Sequence, residues 1–134
     1  MRKMKKRLSL CLALLLCLLL AGCTVSSSKV VKTGYVGNET SRSWSGRFKS
    51  YNGYEAKRIA IPKDATTLRV TFTLAAEEGT LRFTAEKDGA AYFDPEEVRE
   101  GTWEEALAPG AKYTLRITGN AAQNGSFALE WEFE

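Results

Sequence analysis

The chain is 134 residues long, carries 19 basic and 16 acidic side chains and contains no histidine; that length fits one domain of ordinary size. Without an imidazole, Ser-His-Asp triads, Cys-His nucleophile pairs and histidine-bearing zinc sites are excluded whatever the fold. The cysteines Cys11, Cys17 and Cys23 all precede Thr24, so the fate of that segment decides both the charge and the redox chemistry of the rest.

Met1 to Arg7 holds five cations (Arg2, Lys3, Lys5, Lys6, Arg7) and no acid, and Leu8 to Leu20 is almost wholly Leu, Ala and Cys. These are the charged and apolar regions of a signal peptide in order. The apolar run falls short of the roughly 20 residues that a spanning helix needs. At its end stands Leu20-Ala21-Gly22-Cys23, which resembles the cleavage-and-lipidation box of bacterial lipoprotein precursors. The resemblance implies that the chain is cut before Cys23, that Cys23 becomes the lipidated, palmitate-bearing first residue, and that the rest is held outside a bacterial cell membrane or outer membrane. Two acyl chains on one thioether give the stable anchoring that a single chain does not. Thr24 stands where the resemblance would place Asp in an inner-membrane retention signal, which favours the outer membrane in an organism that has one.

On this reading Cys11 and Cys17 leave with the leader and Cys23 is blocked, so no disulfide framework or thiolate site remains. Removing the leader's five cations leaves 14 basic against 16 acidic residues, near −2. The remaining Lys and Arg are interleaved with Glu and Asp, and without a basic face to displace counterions a nucleic-acid partner is excluded.

Thr24 to Arg42 is rich in Ser, Thr, Gly and Lys and has no sustained periodicity. It predicts a flexible linker over 23–42, with a short strand around Val30-Val31 and Tyr35-Val36 as the alternative. Asn38-Glu39-Thr40 and Asn124-Gly125-Ser126 match the N-glycosylation pattern, which in a bacterial lipoprotein is not read as a glycan site. The expected organisation is a signal peptide over 1–22 with a helical apolar segment, the lipidated Cys23 and linker to 42, and one domain over 43–134.

That domain has a period of two. Leu68, Val70, Phe72 and Leu74 alternate with Thr67, Arg69, Thr71 and Thr73, giving one apolar and one wet face. Leu81, Phe83 and Ala85 repeat the pattern, as do Tyr113, Leu115 and Ile117, and then Phe127, Leu129, Trp131 and Phe133. Less regular strands are expected at Trp44 to Lys49, Tyr54 to Ile61, Ala90 to Phe93 and Thr102 to Leu107. Asn52-Gly53, Glu77-Glu78-Gly79, Asp88-Gly89 and Asn124-Gly125 read as turns. Asp94-Pro95-Glu96-Glu97 reads as one helical turn running to about Glu100, capped by Asp94.

Leu107-Ala108-Pro109-Gly110-Ala111-Lys112-Tyr113 resembles the tyrosine corner of Greek-key sandwiches such as fibronectin type III domains. The resemblance implies that the Tyr113 hydroxyl bonds back to the main chain a few residues upstream. Many short strands with one wet face each predict an all-β fold, an antiparallel two-sheet β-sandwich of Greek-key or jelly-roll type. In layout this is loosely similar to small secreted carbohydrate-binding and pre-peptidase C-terminal modules.

The chemistry left to such a body is limited. The acid pairs Glu77-Glu78, Glu96-Glu97 and Glu104-Glu105 are adjacent in sequence, and adjacent strand residues point to opposite faces instead of sharing a cleft. Asp94, Glu96 and Glu97 offer hard oxygens but lack the spacing of a calcium loop. No catalytic residue, metal or cofactor is assigned. Among the aromatics, Trp44, Tyr51, Tyr54, Tyr92 and Trp103 sit in the less regular segments, and Tyr51, Tyr54 and Trp103 are the candidate ligand-binding residues, with Tyr51 and Tyr54 flanking the Asn52-Gly53 turn as a surface ring pair. The sequence therefore points to a lipid-anchored cell-envelope protein whose β-sandwich binds a ligand or protein. A glycan-binding module and a small carboxylate-dependent hydrolase are the alternatives, and the expected partners are the membrane through Cys23 and an envelope protein or glycan.

Overall fold

The computed structural model describes residues 26–95 and 98–134. The signal-peptide helix expected over 1–22 and the lipidation site Cys23 lie outside these residues, as do Glu96 and Glu97. The described residues form seven strands: β1 (Ser26–Thr33), β2 (Val36–Thr40), β3 (Ser43–Arg58), β4 (Thr67–Lys87), β5 (Ala90–Phe93), β6 (Glu100–Ala106) and β7 (Tyr113–Phe133). All pairings are antiparallel.

The sandwich is one hydrogen-bonded sheet folded onto itself. Phe72 and Phe83 both belong to β4, and along a straight strand they would stand about 36 Å apart; their ring centroids are 4.9 Å apart. Trp44 and Lys57 on β3 likewise meet, with the ammonium 4.8 Å from the indole. The three long strands β3, β4 and β7 therefore each contribute one half to each layer. The first layer runs β2, the start of β3, the end of β7, the start of β4 and β6; the second runs β1, the end of β3, the start of β7, the end of β4 and β5.

The fold line is written in local backbone chemistry. Pairing with β7 slips between Tyr51 and Gly53 on β3 and between Glu78 and Thr80 on β4, two bulges that bend a strand and raise its twist. Gly53 and Gly79 take φ of +117° and +72°, and a Cβ on either would stand 2.1 Å from a carbonyl oxygen, that of Lys29 or of Ala121. Opposite them Ala121 on β7 also has a positive φ.

The alternating residues fill the space between the layers as the sequence predicts. Leu68, Val70, Phe72, Leu74, Phe83, Ala85, Tyr113, Leu115, Ile117, Phe127, Leu129 and Trp131 are all buried, while Phe133 and Leu81 pack at the margin. The expected tyrosine corner is present: the Ala108 N–H donates to the Tyr113 hydroxyl at 3.1 Å, and Gly110 takes φ +75° in the bend before it. Asp88 and Gly89 both take positive φ in the tight hairpin between β4 and β5, as Asp-Gly requires.

Three expectations are corrected. The linker predicted over 23–42 is largely sheet, because β1 pairs with β3 from Ser26 and β2 pairs with it through Thr40. Both are edge strands whose side chains are mostly polar, so main-chain pairing holds them and no apolar alternation announces them. Asn52-Gly53, Glu77-Glu78-Gly79 and Asn124-Gly125 are not hairpins; β3, β4 and β7 run through them, and the special φ values serve bends instead of reversals. The helical turn does not reach Glu100, which already belongs to β6; before it, the Val98 N–H donates to the Pro95 carbonyl at 3.3 Å.

Candidate functional site

Alternation sorts the second layer into two faces. Tyr113, Leu115 and Ile117 are buried, so Thr114, Arg116 and Thr118 point outward. Cross-strand register places Tyr54 beside Thr118 and Thr118 beside Arg82. Tyr54, Thr118 and Arg82 therefore form one row across three strands on the outward face, with about 10 Å between the two outer backbones. Thr118 is the low point between a ring and a guanidinium.

Both ends of this row are fixed. The Arg82 guanidinium binds the Asp94 carboxylate through two parallel contacts, Nε to Oδ1 at 2.8 Å and Nη2 to Oδ2, the planar match that makes arginine–carboxylate pairs directional. The Arg116 guanidinium lies over the Tyr54 ring, 4.6 Å from its centroid, and its Nη2 meets Glu86 Oε1 at 2.8 Å. Arg116 Nε is buried without a hydrogen-bond partner, so ring stacking and the Glu86 contact hold this side chain.

Next to the row lies an open hollow of about 500 Å³ lined by Ala56, Arg58, Glu86, Lys112, Thr114 and Arg116, among others. Ala56 and Thr114 are short, which lowers the floor, while the longer side chains stand around it. Glu86 is committed to Arg116, and the Asp88 carboxylate accepts the Lys112 main-chain N–H at 2.9 Å. Among the described residues no carboxylate is within ion-pair distance of Arg58 or Lys112. A second hollow, of about 560 Å³, sits at the bend of β4 between Leu74, Ala76, Leu81, Arg82 and Arg99.

The flank closed by β1 and β2 is different in kind. Glu55 faces inward and accepts from the Tyr51 hydroxyl at 3.0 Å and from Lys32 Nζ at 2.9 Å. Lys32 also lies 3.7 Å from the Tyr35 ring centroid, and Lys57 pairs with Glu39. Burial, reinforced by the Glu55 charge, pushes the Tyr51 hydroxyl well above its ordinary range and raises that of Tyr35. Burial, with Lys32 nearby, pulls the Lys57 ammonium down. Here each charge has a partner, and the cluster seams the two layers together.

Of the candidate residues from sequence, the structure leaves Tyr54 on an outward face and takes the other two inside. Tyr51 is fully buried and lies 5.2 Å from Phe48, ring to ring. It cannot form a surface pair with Tyr54, because β3 continues through Asn52-Gly53 and the two rings leave it on opposite faces. Trp103 is 6% exposed and stacks on Phe93 at 5.2 Å and 12°, filling the margin between β5 and β6. Trp44 is buried as well, while Tyr92 is 45% exposed and donates to Glu105 at 2.6 Å.

The acids are dispersed. Glu104 faces outward to Arg69, Glu105 accepts from Tyr92, and Glu77 accepts from Asn124 Nδ2 at 3.3 Å. Asp94 is engaged by Arg82, and the described residues contain no group of three or more Cys, Asp or Glu placed to hold a metal ion. Sequence reasoning missed Arg82, Arg116 and Thr118. Their signal was the wet half of the alternation, Arg116 and Thr118 lying between Leu115, Ile117 and Gly119.

No family model matches this chain, and no curated protein matches it. Among solved structures it is similar to CBM35 from Paenibacillus barcinonensis, with 21% identity, 80% of this chain and 91% of that one covered, and a TM-score of 0.46. It is similar to the xylan-binding module CBM15 at 13% identity, covering 82% of this chain and 97% of that one, TM-score 0.34. The Agl-KA catalytic domain matches at 10% identity over 81% of this chain and 28% of that one, TM-score 0.36.

Proposed function

We propose that this chain is a lipid-anchored cell-envelope protein whose β-sandwich is a glycan-binding module, and that the glycan lies across the row Tyr54–Thr118–Arg82. The observation that carries this reading is the row itself: a half-buried ring and a carboxylate-locked guanidinium in cross-strand register, with a short side chain between them. A sugar presents an apolar C–H face and a rim of hydroxyls. The ring suits the first, and the Arg82–Asp94 pair offers donors and acceptors together to the second. Protein interfaces are instead anchored by several aromatic or arginine side chains sunk in desolvated pockets, whereas this face has one ring and its guanidiniums, Arg82 and Arg116, are partly exposed and already engaged by Asp94 and Glu86.

Titration of soluble peptidoglycan fragments and neutral and acidic oligosaccharides into the protein, followed calorimetrically, tests the reading. At least one glycan class should bind, and Tyr54→Ala should weaken it about tenfold, the scale of one lost ring contact. Thr71→Ala on the outward face of the other layer should leave binding unchanged. Absence of binding to every class, or full binding by Tyr54→Ala, would overturn it.

A further inference from the structure

β1 begins at Ser26, so only Thr24 and Val25 separate the first strand from Cys23. Three peptide steps span at most about 10 Å even when fully extended, which leaves no stalk between an acylated Cys23 and the sandwich. Ser26 enters the sheet in register with Lys57, and Ser27 with Ala56. Ala56 is part of the floor of the hollow bounded by Arg58 and Lys112, so the anchor point and the hollow share one end of the second layer. Arg58 and Lys112 are both exposed, and among the described residues neither has a carboxylate partner.

We infer that this end of the second layer is a membrane-facing surface, with Arg58 and Lys112 among the anionic headgroups of the bilayer that holds the Cys23 lipid. The inference rests on the anchoring half of the proposed function and not on its glycan half. Charge complementarity selects the partner: each Lys or Arg near an anionic leaflet adds a modest attraction that neutral lipid does not supply, and a two-residue spacer keeps these two side chains at that surface. The sandwich then stands on its end. The row Tyr54–Thr118–Arg82 faces sideways above the headgroups, and the bend of the long strands lies farthest out, since the halves of β3 and β7 between them and the Lys57 end span about 20 Å. A glycan captured there is one that comes close to the bilayer.

The test uses the full chain, processed and acylated, in vesicles. Because the leader's cysteines are lost and Cys23 carries lipid, a cysteine introduced by Lys63→Cys, in the loop at the anchored end, or by Gln123→Cys, at the bend, is the only thiol to label. Quenching by a headgroup-attached acceptor should be strong for the first position and several-fold weaker for the second in mixed phosphatidylglycerol–phosphatidylcholine vesicles. The difference should shrink in pure phosphatidylcholine and in the Arg58→Ala/Lys112→Ala double variant. Equal quenching at both positions, or a pattern indifferent to lipid charge and to the double variant, would overturn the inference while mass spectrometry still finds Cys23 acylated. An unacylated Cys23 would overturn the anchor itself, and glycan titration reports separately on the row.

Discussion

The hydroxyl of Tyr113 accepts the main-chain N–H of Ala108 across five residues at 3.1 Å, and this contact decides how the chain enters its last strand. Leu107 is tied back to Thr66, its N–H reaching the Thr66 carbonyl at 2.8 Å, so the segment before β7 is pinned at both ends. Tyr113→Phe removes the acceptor but keeps the ring, which is fully buried. The variant should lose about 1–2 kcal/mol of stability, the cost of leaving a half-buried amide unpaired. A lower urea midpoint with an unchanged slope is the expected reading.

The fold line yields a sharper contrast. An alanine at Gly79 would set its Cβ 2.1 Å from the Ala121 carbonyl oxygen at a φ of +72°, whereas one at Gly89 meets nothing within 4 Å at a φ of +83°. Both substitutions force a side chain into left-handed backbone, costing about 1–2 kcal/mol, but only the first also pushes two strands apart. Gly79→Ala should therefore cost well above ~2 kcal/mol, and Gly89→Ala should stay near the backbone cost alone. Thermal unfolding of the two variants side by side measures the difference.

The row on the outward face is open to dissection without touching the core. Arg82→Ala removes the partner of Asp94, and both side chains are partly exposed, so stability should change by less than about 1 kcal/mol. Glycan binding should fall along with that of Tyr54→Ala. Circular dichroism melts and calorimetric titration of the same sample separate the two effects.

How much of this was legible in the sequence depends on what each residue faces. Residues caught between the layers announced themselves, since Leu68, Val70, Phe72 and Leu74 must alternate to bury one side. The path of the strands did not. Glu77-Glu78-Gly79 has the composition of a hairpin tip, and only the pairing of β4 with β7 on both sides of Gly79 turns it into a bend. β1 and β2 lack the signal for another reason: an edge strand is held by main-chain bonds, and Ser, Thr and Lys satisfy those as well as Val does. Tyr54 was visible as a ring beside Asn52-Gly53, but its partners Thr118 and Arg82 lie 64 and 28 residues away in sequence, and register alone brings them together. Trp103 misled because a short, polar strand carried it, and its inward position follows from pairing with Val70.

Alkaline pH should find the seam between the layers first. Tyr51 is fully buried with its hydroxyl on Glu55, and burial followed by that carboxylate raises its ionisation well above the ordinary 10.0; Tyr35 is raised for the same two reasons. In the unfolded chain both hydroxyls ionise near pH 10. Above that pH the unfolded state binds fewer protons than the folded one, so stability, fully present below pH 10, must fall as pH rises through the unfolded value. Lys57 acts in the opposite sense: its folded ionisation is lowered from 10.5, so its penalty is relieved as pH rises through that lowered value. Two tyrosines, one of them shifted strongly, outweigh one lysine. The urea midpoint should therefore decline steeply above about pH 10, and Tyr51→Phe, less stable at neutral pH for want of the Glu55 bond, should show the shallower decline. A midpoint that falls equally in both proteins would place the alkaline sensitivity elsewhere than in the Tyr51–Glu55 contact.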